Sequence, residues 1–112
     1  MNLNIFCFYL AFCTGLHATK SPSIGTFSIV ARNTSTGEFG VAVQSKLVAV
    51  GAVVPFAQAN IGAIASQALG NPRFGPMGLE LLAQGMDAEK AMLAMIEADP
   101  YRDHRQLAMI GK

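Results

Sequence analysis

The sequence predicts a domain of the α+β class, with antiparallel strands first and a pair of helices grouped after them. Residues 26–32 and 39–45 alternate their side chains with the period of a β-strand and are separated by a short loop of turn-forming residues. Residues 76–99 then carry apolar side chains at helical spacing. Helices that follow one another without an intervening strand cover one face of a sheet, which indicates α+β architecture. A chain of 112 residues has room for one such domain.

The first two strands are predicted to form a hairpin. Residues 26–32 (TFSIVAR) place one set of side chains on each face of the strand. One face carries Phe27, Ile29 and Ala31, and the other carries Thr26, Ser28 and Val30. Residues 33–38 (NTSTGE) are turn formers that include Gly37, and they lead into a second strand at residues 39–45 (FGVAVQS).

The middle of the chain is less regular. Residues 46–60 are apolar and rich in β-branched side chains, but Gly51 and Pro55 interrupt them. Because proline cannot donate to a sheet ladder, this stretch is predicted to be a loop with strand pieces or an edge strand. Residues 61–67 (IGAIASQ) form a third strand whose small side chains allow close packing, and residues 68–76 form a loop.

Two helices are predicted next. Pro76 at an early helical position and Gly85 after the end bracket the first helix at residues 77–84. Asp87 can cap the second helix, and Pro100 stops it. Its apolar residues recur at helical spacing and are Ala88, Ala91, Met92, Met95 and Ile96.

A last strand at residues 105–110 (RQLAMI) completes the predicted order of strand, strand, strand, helix, helix, strand. The strands at 39–45 and 61–67 are apolar enough to need cover on both faces, and two helices cover only one face. The other face needs a second sheet, another chain, or a C-terminal half. The predicted partner is therefore a second copy in a homo-oligomer, or a missing C-terminal half.

An apolar segment precedes the domain. Residues 5–16 are too few to cross a bilayer, and the small residue Ala18 follows closely. This pattern is typical of a secretory signal peptide at residues 1–18, with a short leader at residues 19–25 and the domain at 26–112. The predicted location is secreted or periplasmic, and the alternative is a buried or anchoring N-terminal segment.

Composition excludes several kinds of site. Both cysteines, Cys7 and Cys13, lie in the apolar segment, so cleavage would leave no thiol. The two histidines, His17 and His104, cannot build a metal site with the scattered acids, so no metal and no cofactor are predicted. With a net charge of +1 and 13% charged residues, the chain has no basic stripe for a phosphate backbone, and no nucleic acid is predicted as a partner.

Long segments of the domain carry a resemblance to a known family. They are residues 26–32, 39–59 (FGVAVQSKLVAVGAVVPFAQA), 61–85 (IGAIASQALGNPRFGPMGLELLAQG) and 87–110. Together they resemble an uncharacterised conserved family of the N-terminal nucleophile (Ntn) hydrolase superfamily. The resemblance implies a four-layer αββα sandwich, of which this chain would hold the N-terminal half.

The resemblance also implies a nucleophile. In such hydrolases it is the first residue of the mature chain, which here matches Thr26. A threonine hydroxyl is a weak nucleophile, but a free α-amine with a pKa of roughly 7.7 to 8.0 can accept its proton. Signal cleavage after Ala18 would still leave residues 19–25 on that amine. A second cut between Gly25 and Thr26 is therefore required, and a Gly–Thr junction is what proteasome-type relatives process themselves.

Gln44, Ser45 and Lys46 are the predicted supporting residues, at the end of the second strand. Proteasome-type enzymes have an acidic residue followed by serine there, but Gln44 carries no charge. Those enzymes also place a lysine on the third strand, and residues 53–67 supply none, so Lys46 is the nearest lysine. The amides of Gln44 and Gln67, or backbone amides near Ser45, could form an oxyanion site.

Simpler interpretations stand beside these. Thr26 could merely begin a strand, and residues 44–46 could be a strand end that turns into solvent. Two classes of function remain open. One is a secreted amide hydrolase that uses Thr26 on an unknown amide substrate. The other is a non-catalytic secreted assembly or binding domain, or an inactive truncated remnant.

Overall fold

Five strands and two helices make up residues 25–112, which the computed structural model describes. The predicted signal peptide and residues 19–24 of the leader lie outside the described residues. In chain order the elements are β1 (Thr26–Arg32), β2 (Phe39–Ser45), β3 (Pro55–Gln58), β4 (Gly62–Ala68), α1 (Phe74–Ala83), α2 (Ala88–Glu97) and β5 (Arg105–Gly111). The strands form two small antiparallel sheets, β1-β2 and β3-β4-β5, so the α+β class is confirmed.

The hairpin of β1 and β2 forms as predicted. Its strands pair from Thr26 opposite Ser45 to Arg32 opposite Phe39. The turn closes where the Gly37 N–H donates to the carbonyl of Asn33 at 2.8 Å. Gly37 has a φ of 75°, a conformation that glycine adopts without steric cost, so the turn requires it.

The prediction of strand pieces or an edge strand within residues 46–60 is confirmed by β3, which adds a strand to the second sheet. Pro55 begins β3, which lies at the edge of the sheet, where a missing N–H breaks no ladder. The central strand β4 runs one residue later than predicted. The reason is that Ile61 belongs to the turn before β4, where its N–H donates to the Gln58 carbonyl at 3.1 Å.

The first helix begins earlier than predicted, at Phe74 instead of residue 77. Pro76 is tolerated inside it because the first N–H groups of a helix have no intrahelical acceptor. Phe74 is only 2% exposed, and its burial anchors this added turn. The second helix agrees with the prediction, since the Asp87 carboxylate accepts the Glu89 N–H at 2.9 Å and the helix ends before Pro100.

The two sheets and the helices form three layers, with β4 in the middle. On one face of β4, Ile64 is fully buried under α1, where a Cβ at Gly78 would come within 2.5 Å of the Ile64 Cδ1. The opposite face carries the small residues Ala63 and Ala65, and the β1-β2 hairpin packs over it. The chain's own hairpin thus covers the second face of β4.

Within residues 25–112, the outer face of the hairpin is not covered by another layer. Phe27 lies there and is 69% exposed, and Gly40, Ala42 and Gln44 on the neighbouring strand are exposed as well. The sequence predicts a sheet face that needs cover. In the structure this face belongs to the β1-β2 hairpin and not to β4.

Candidate functional site

Thr26 and Ser45 form a hydroxyl pair at one end of the hairpin. They are directly opposite each other in the β1-β2 register, and their side chains share the inner face. The Thr26 Oγ1 and Ser45 Oγ atoms are 2.8 Å apart, a hydrogen bond in which either can donate. The Leu47 N–H donates to the Ser45 Oγ at 3.1 Å. Strand pairing and the turn after β2 therefore fix both hydroxyls.

The Leu47 contact limits what the Ser45 hydroxyl can do. A hydroxyl has one proton to donate and two lone pairs to accept with. Because Leu47 takes one lone pair, Ser45 keeps its proton and one further lone pair for Thr26. Ser45 can therefore donate to the Thr26 oxygen and leave the Thr26 proton free for a base. The structure brings together these two residues of the predicted site.

One glutamine contacts the backbone of Thr26, and a second glutamine contacts the first. Gln67 on β4 and Gln106 on β5 are register partners, so they share the sheet face toward the hairpin. The Gln67 Nε2 donates to the Thr26 carbonyl at 3.0 Å and to the Gln106 Oε1 at 2.9 Å. The Gln67 Oε1 is buried and has no hydrogen-bond partner within residues 25–112.

Sequence reasoning named Gln67 as an oxyanion candidate but missed Gln106. A signal was available, since Gln106 is a polar residue in the otherwise apolar stretch 106–110. Only the pairing of β4 with β5 shows that it faces Gln67.

A cleft of about 440 Å³ opens at these residues. It is lined by Gly25, Thr26, Leu47, Ala68 and Gln106. None of these lining side chains is charged, so the cleft suits a neutral ligand with apolar and amide groups. Ala68 ends β4 with a φ of 65°, a left-handed conformation that costs an alanine roughly 1 to 2 kcal/mol.

The two other predicted residues lie elsewhere. Gln44 pairs with Phe27, so it is on the outer face of the hairpin, and it is exposed. Lys46 follows the end of β2, is exposed, and makes no hydrogen bond or ion pair with any described residue. The structure does not bring either side chain to Thr26. Their catalytic roles stay predictions.

An ion pair lies beyond the site, near the ends of β4 and β5. The Arg105 Nε is 2.6 Å from the Asp99 Oδ2, and the Arg105 guanidinium also donates to the Leu69 carbonyl. The hydrogen bond from Arg105 lowers the pKa of Asp99 below its ordinary value of 3.8, and the Tyr101 N–H acts in the same direction. The same bond raises the pKa of Arg105.

Within the part of the chain that the structure describes, no three His, Cys, Asp or Glu side chains lie close enough to hold a metal ion. No helix of residues 25–112 has the length and apolar character needed to cross a bilayer.

Comparison with known proteins gives the family. The model of a family of unknown function, DUF1028, matches residues 26–112, from the first residue of β1 to the end of the chain. The chain belongs to the DUF1028 family. The match begins at Thr26, which is also where the hydroxyl pair lies. No protein of curated function is similar enough to this DUF1028 chain to count as a relative.

A solved structure shares the DUF1028 fold. It is the crystal structure of protein SPO2555 from Silicibacter pomeroyi, also described as DUF1028, and it superimposes with a TM-score of 0.73 at 34% sequence identity. The match covers 80% of this chain and 41% of SPO2555. This DUF1028 chain therefore spans less than half of that relative.

Proposed function

We propose that this DUF1028 chain carries the nucleophile of a secreted Ntn-type amide hydrolase, with Thr26 as the nucleophile and an amide of unknown identity as the substrate. The observation that carries the proposal is the 2.8 Å pair of Thr26 and Ser45 hydroxyls, of which Thr26 lines a cleft. The resemblance to Ntn hydrolases at the level of sequence adds support. On this proposal the domain is one half of an αββα sandwich.

The reaction needs the bond between Gly25 and Thr26 to be broken first. The freed α-amine of Thr26 then takes the proton of its own hydroxyl while the oxygen adds to the carbonyl carbon of the substrate. The amine returns that proton to the leaving nitrogen as the C–N bond breaks, which leaves an ester on Thr26. Water then adds to the ester with the amine again as base, and a carboxylic acid leaves. The net change is one amide and one water converted to an acid and an amine.

The neighbouring groups have supporting parts in this scheme. In this scheme Ser45 donates to the Thr26 oxygen, which is one of the two directions that their hydrogen bond allows, and so leaves the Thr26 proton free for the amine. Gln106 lines the cleft and offers an amide that can bond the amide of a substrate. Gly25 also lines the cleft, so the residue before Thr26 occupies space that a substrate would need.

Export and partner belong to the proposal as well. The apolar segment at residues 5–16 favours a secreted or periplasmic protein. The exposed outer face of the hairpin favours a covering partner. We assign that partner to a C-terminal half like the remainder of SPO2555, or to a second copy of the chain.

The test uses a probe that needs no knowledge of the substrate. A peptide epoxyketone adds a threonine hydroxyl to its ketone and the α-amine of the same residue to its epoxide. It therefore reports a free N-terminal threonine as an adduct of the full probe mass. The chain is produced with its own residues 1–25 in an exporting bacterial host and analysed by intact mass spectrometry. We expect a chain that begins at Thr26 and gains one probe.

Two variants serve as controls. Thr26→Ala should give no adduct, and Thr36→Ala, which changes an exposed threonine of the hairpin turn, should react like the unaltered protein. An exported chain that keeps residues 19–25 and gains no probe would refute the hydrolase.

That result would leave the second candidate, a non-catalytic assembly or binding domain. The observation that favours it is the exposed outer face around Phe27.

A further inference from the structure

Only one of the two polar atoms of the Gln67 side-chain amide forms hydrogen bonds with the described residues. Its Nε2 donates twice, to the Thr26 carbonyl at 3.0 Å and to the Gln106 Oε1 at 2.9 Å. Its Oε1 is buried and accepts nothing from residues 25–112. A buried carbonyl oxygen without a donor costs free energy, so such an oxygen needs an explanation.

The orientation of the amide is fixed by its two bonds. Both acceptors that the Nε2 contacts are carbonyl oxygens, and exchanging the Gln67 nitrogen and oxygen would place oxygen against oxygen at both contacts. The buried atom is therefore the acceptor, and it needs a donor.

The position of the unused oxygen relates it to Thr26. In a β-strand the N–H and C=O of one residue project from the same edge. The Gln67 Nε2 is held on the carbonyl of Thr26, so the Gln67 amide lies at the strand edge from which the Thr26 nitrogen also projects. In the intact chain that nitrogen is an amide whose one hydrogen is held in the peptide plane and does not reach the Gln67 Oε1. Cleavage after Gly25 turns it into an amine with two or three hydrogens.

On the strength of the proposed function, we propose that the Gln67 Oε1 accepts a hydrogen bond from the freed α-amine of Thr26 and makes Gln67 a positioning residue. The bond turns the amine so that its lone pair faces the Thr26 hydroxyl. The same side chain then holds both ends of Thr26, its carbonyl through Nε2 and its amine through Oε1. Cleavage supplies the donor that the intact chain lacks.

The test follows the rate of epoxyketone labelling from about pH 5 to pH 10, because labelling requires the uncharged amine. The midpoint of that profile is the apparent pKa of the Thr26 amine, and an unperturbed amine has a pKa of about 7.7 to 8.0. An acceptor stabilises the charged amine, so Gln67→Leu should lower the midpoint by about one pH unit. Gln67→Glu places a carboxylate beside the amine and should raise it by about one unit or more.

Controls separate this role from a structural one. Gln106→Leu removes one partner of Gln67 but leaves the Gln67 Oε1 in place, so the midpoint should stay within about 0.3 units even if the rate falls. Gln58→Glu adds the same charge at an exposed residue of β3 and should not move the midpoint. If Gln67→Leu unfolds, the isosteric Gln67→Glu carries the test.

The outcomes separate the two proposals. If every variant is labelled with the same pH midpoint, Gln67 only holds the Thr26 carbonyl and does not act on the amine. That result would overturn this inference and leave the proposed hydrolase function standing. A complete absence of labelling in the unaltered protein would remove the hydrolase function and the role of Gln67 with it.

Discussion

Thr26 and Ser45 meet because they are register partners at the open end of the hairpin. The β1-β2 pairing begins at this pair, and alternation along β2 sends Ser45 inward and its neighbour Gln44 outward. Adjacent residues of the predicted site therefore lie on different faces of the same sheet. Separate substitutions of Ser45 and Gln44 therefore distinguish a residue that acts at the site from one that lies only at the surface.

Ser45→Ala should weaken both the site and the fold. The change removes the partner of the Thr26 hydroxyl and the acceptor of the Leu47 N–H, so we expect a loss of about 1 kcal/mol in the free energy of unfolding. Epoxyketone labelling should fall about tenfold. Gln44→Ala, one residue away on the outer face, should change labelling less than about twofold. Ser35→Ala in the exposed turn is the control for stability, and equal effects of Ser45→Ala and Gln44→Ala would contradict the placement.

Single residues were predictable where a local pattern was enough. The period of two in residues 26–32 places Thr26 on the face opposite Phe27, and the structure agrees. Gln67 and Gln106 are far apart in sequence, and their contact depends on the pairing of β4 with β5. Strand periodicity carries no information about which strands pair, so the amide pair could not be predicted.

At the level of elements, α1 lies close to the sheet because its contact positions lack side chains. A Cβ at Gly75 would overlap the ring of Phe56 on β3, and one at Gly78 would meet Ile64 on β4. Pro76 at an early helical position predicts a helix start at residue 77, whereas burial of Phe74 extends the helix toward its N-terminus.

Gly75→Ala should destabilise the protein by about 2 to 3 kcal/mol, because the added methyl forces α1 and Phe56 apart. Gly51→Ala is the matched control, since a Cβ there meets nothing within 4 Å. The midpoint of urea unfolding should fall for the first variant and stay close to the original for the second. Similar midpoints for both variants would show that α1 does not pack as closely as described.

The ion pair of Asp99 and Arg105 links the chain after α2 to the start of β5. Arg105 lowers the pKa of Asp99, so the folded protein releases this proton more readily than the unfolded chain does. The pair therefore stabilises the fold fully above the unfolded pKa of Asp99, which is its ordinary value of 3.8. That stabilisation is lost as the pH falls through the lower pKa of the folded state.

Asp99→Asn should lower the unfolding temperature at pH 7. It should also make the unfolding temperature fall less as the pH decreases. The difference between the variant and the unaltered protein should shrink as the pH falls below about 4. Asp103→Asn, at an exposed residue of the adjacent turn, is the control. Thermal unfolding between pH 2 and pH 7 is the measurement, and a difference that stays constant with pH would contradict the role of the ion pair.

At the level of the whole molecule, the three layers end in an apolar surface. The sequence predicted that a sheet face would lack cover, and Phe27, with 69% of its surface exposed, identifies that face as the outside of the hairpin. The stacking of one sheet on the other could not be predicted, because alternation shows that a face is apolar but not what covers it. For the same reason, the sequence does not show what would cover the outer face of the hairpin.

Phe27→Gln should reduce self-association of the chain. An apolar surface of this kind favours contact between copies when nothing else covers it. Sedimentation velocity over a range of concentrations should show larger species for the unaltered protein and a shift toward monomer for the variant. The free energy of unfolding should change by less than about 0.5 kcal/mol, since Phe27 is exposed. Leu93→Gln, at another exposed apolar residue on α2, is the control and should not alter the sedimentation.

The ion pair has a consequence for where the proposed chemistry can operate. Arg105 precedes Gln106, and Leu69, whose carbonyl Arg105 holds, lies two residues after Gln67. Acid that protonates Asp99 loosens the ends of the two strands that carry the glutamines, whereas the amine on which the proposed reaction depends is already protonated several pH units higher. The fold and the reaction thus fail in the same direction. The ion pair is intact at the neutral or mildly alkaline pH that the proposed reaction requires, so the fold outlasts the reaction as the pH falls.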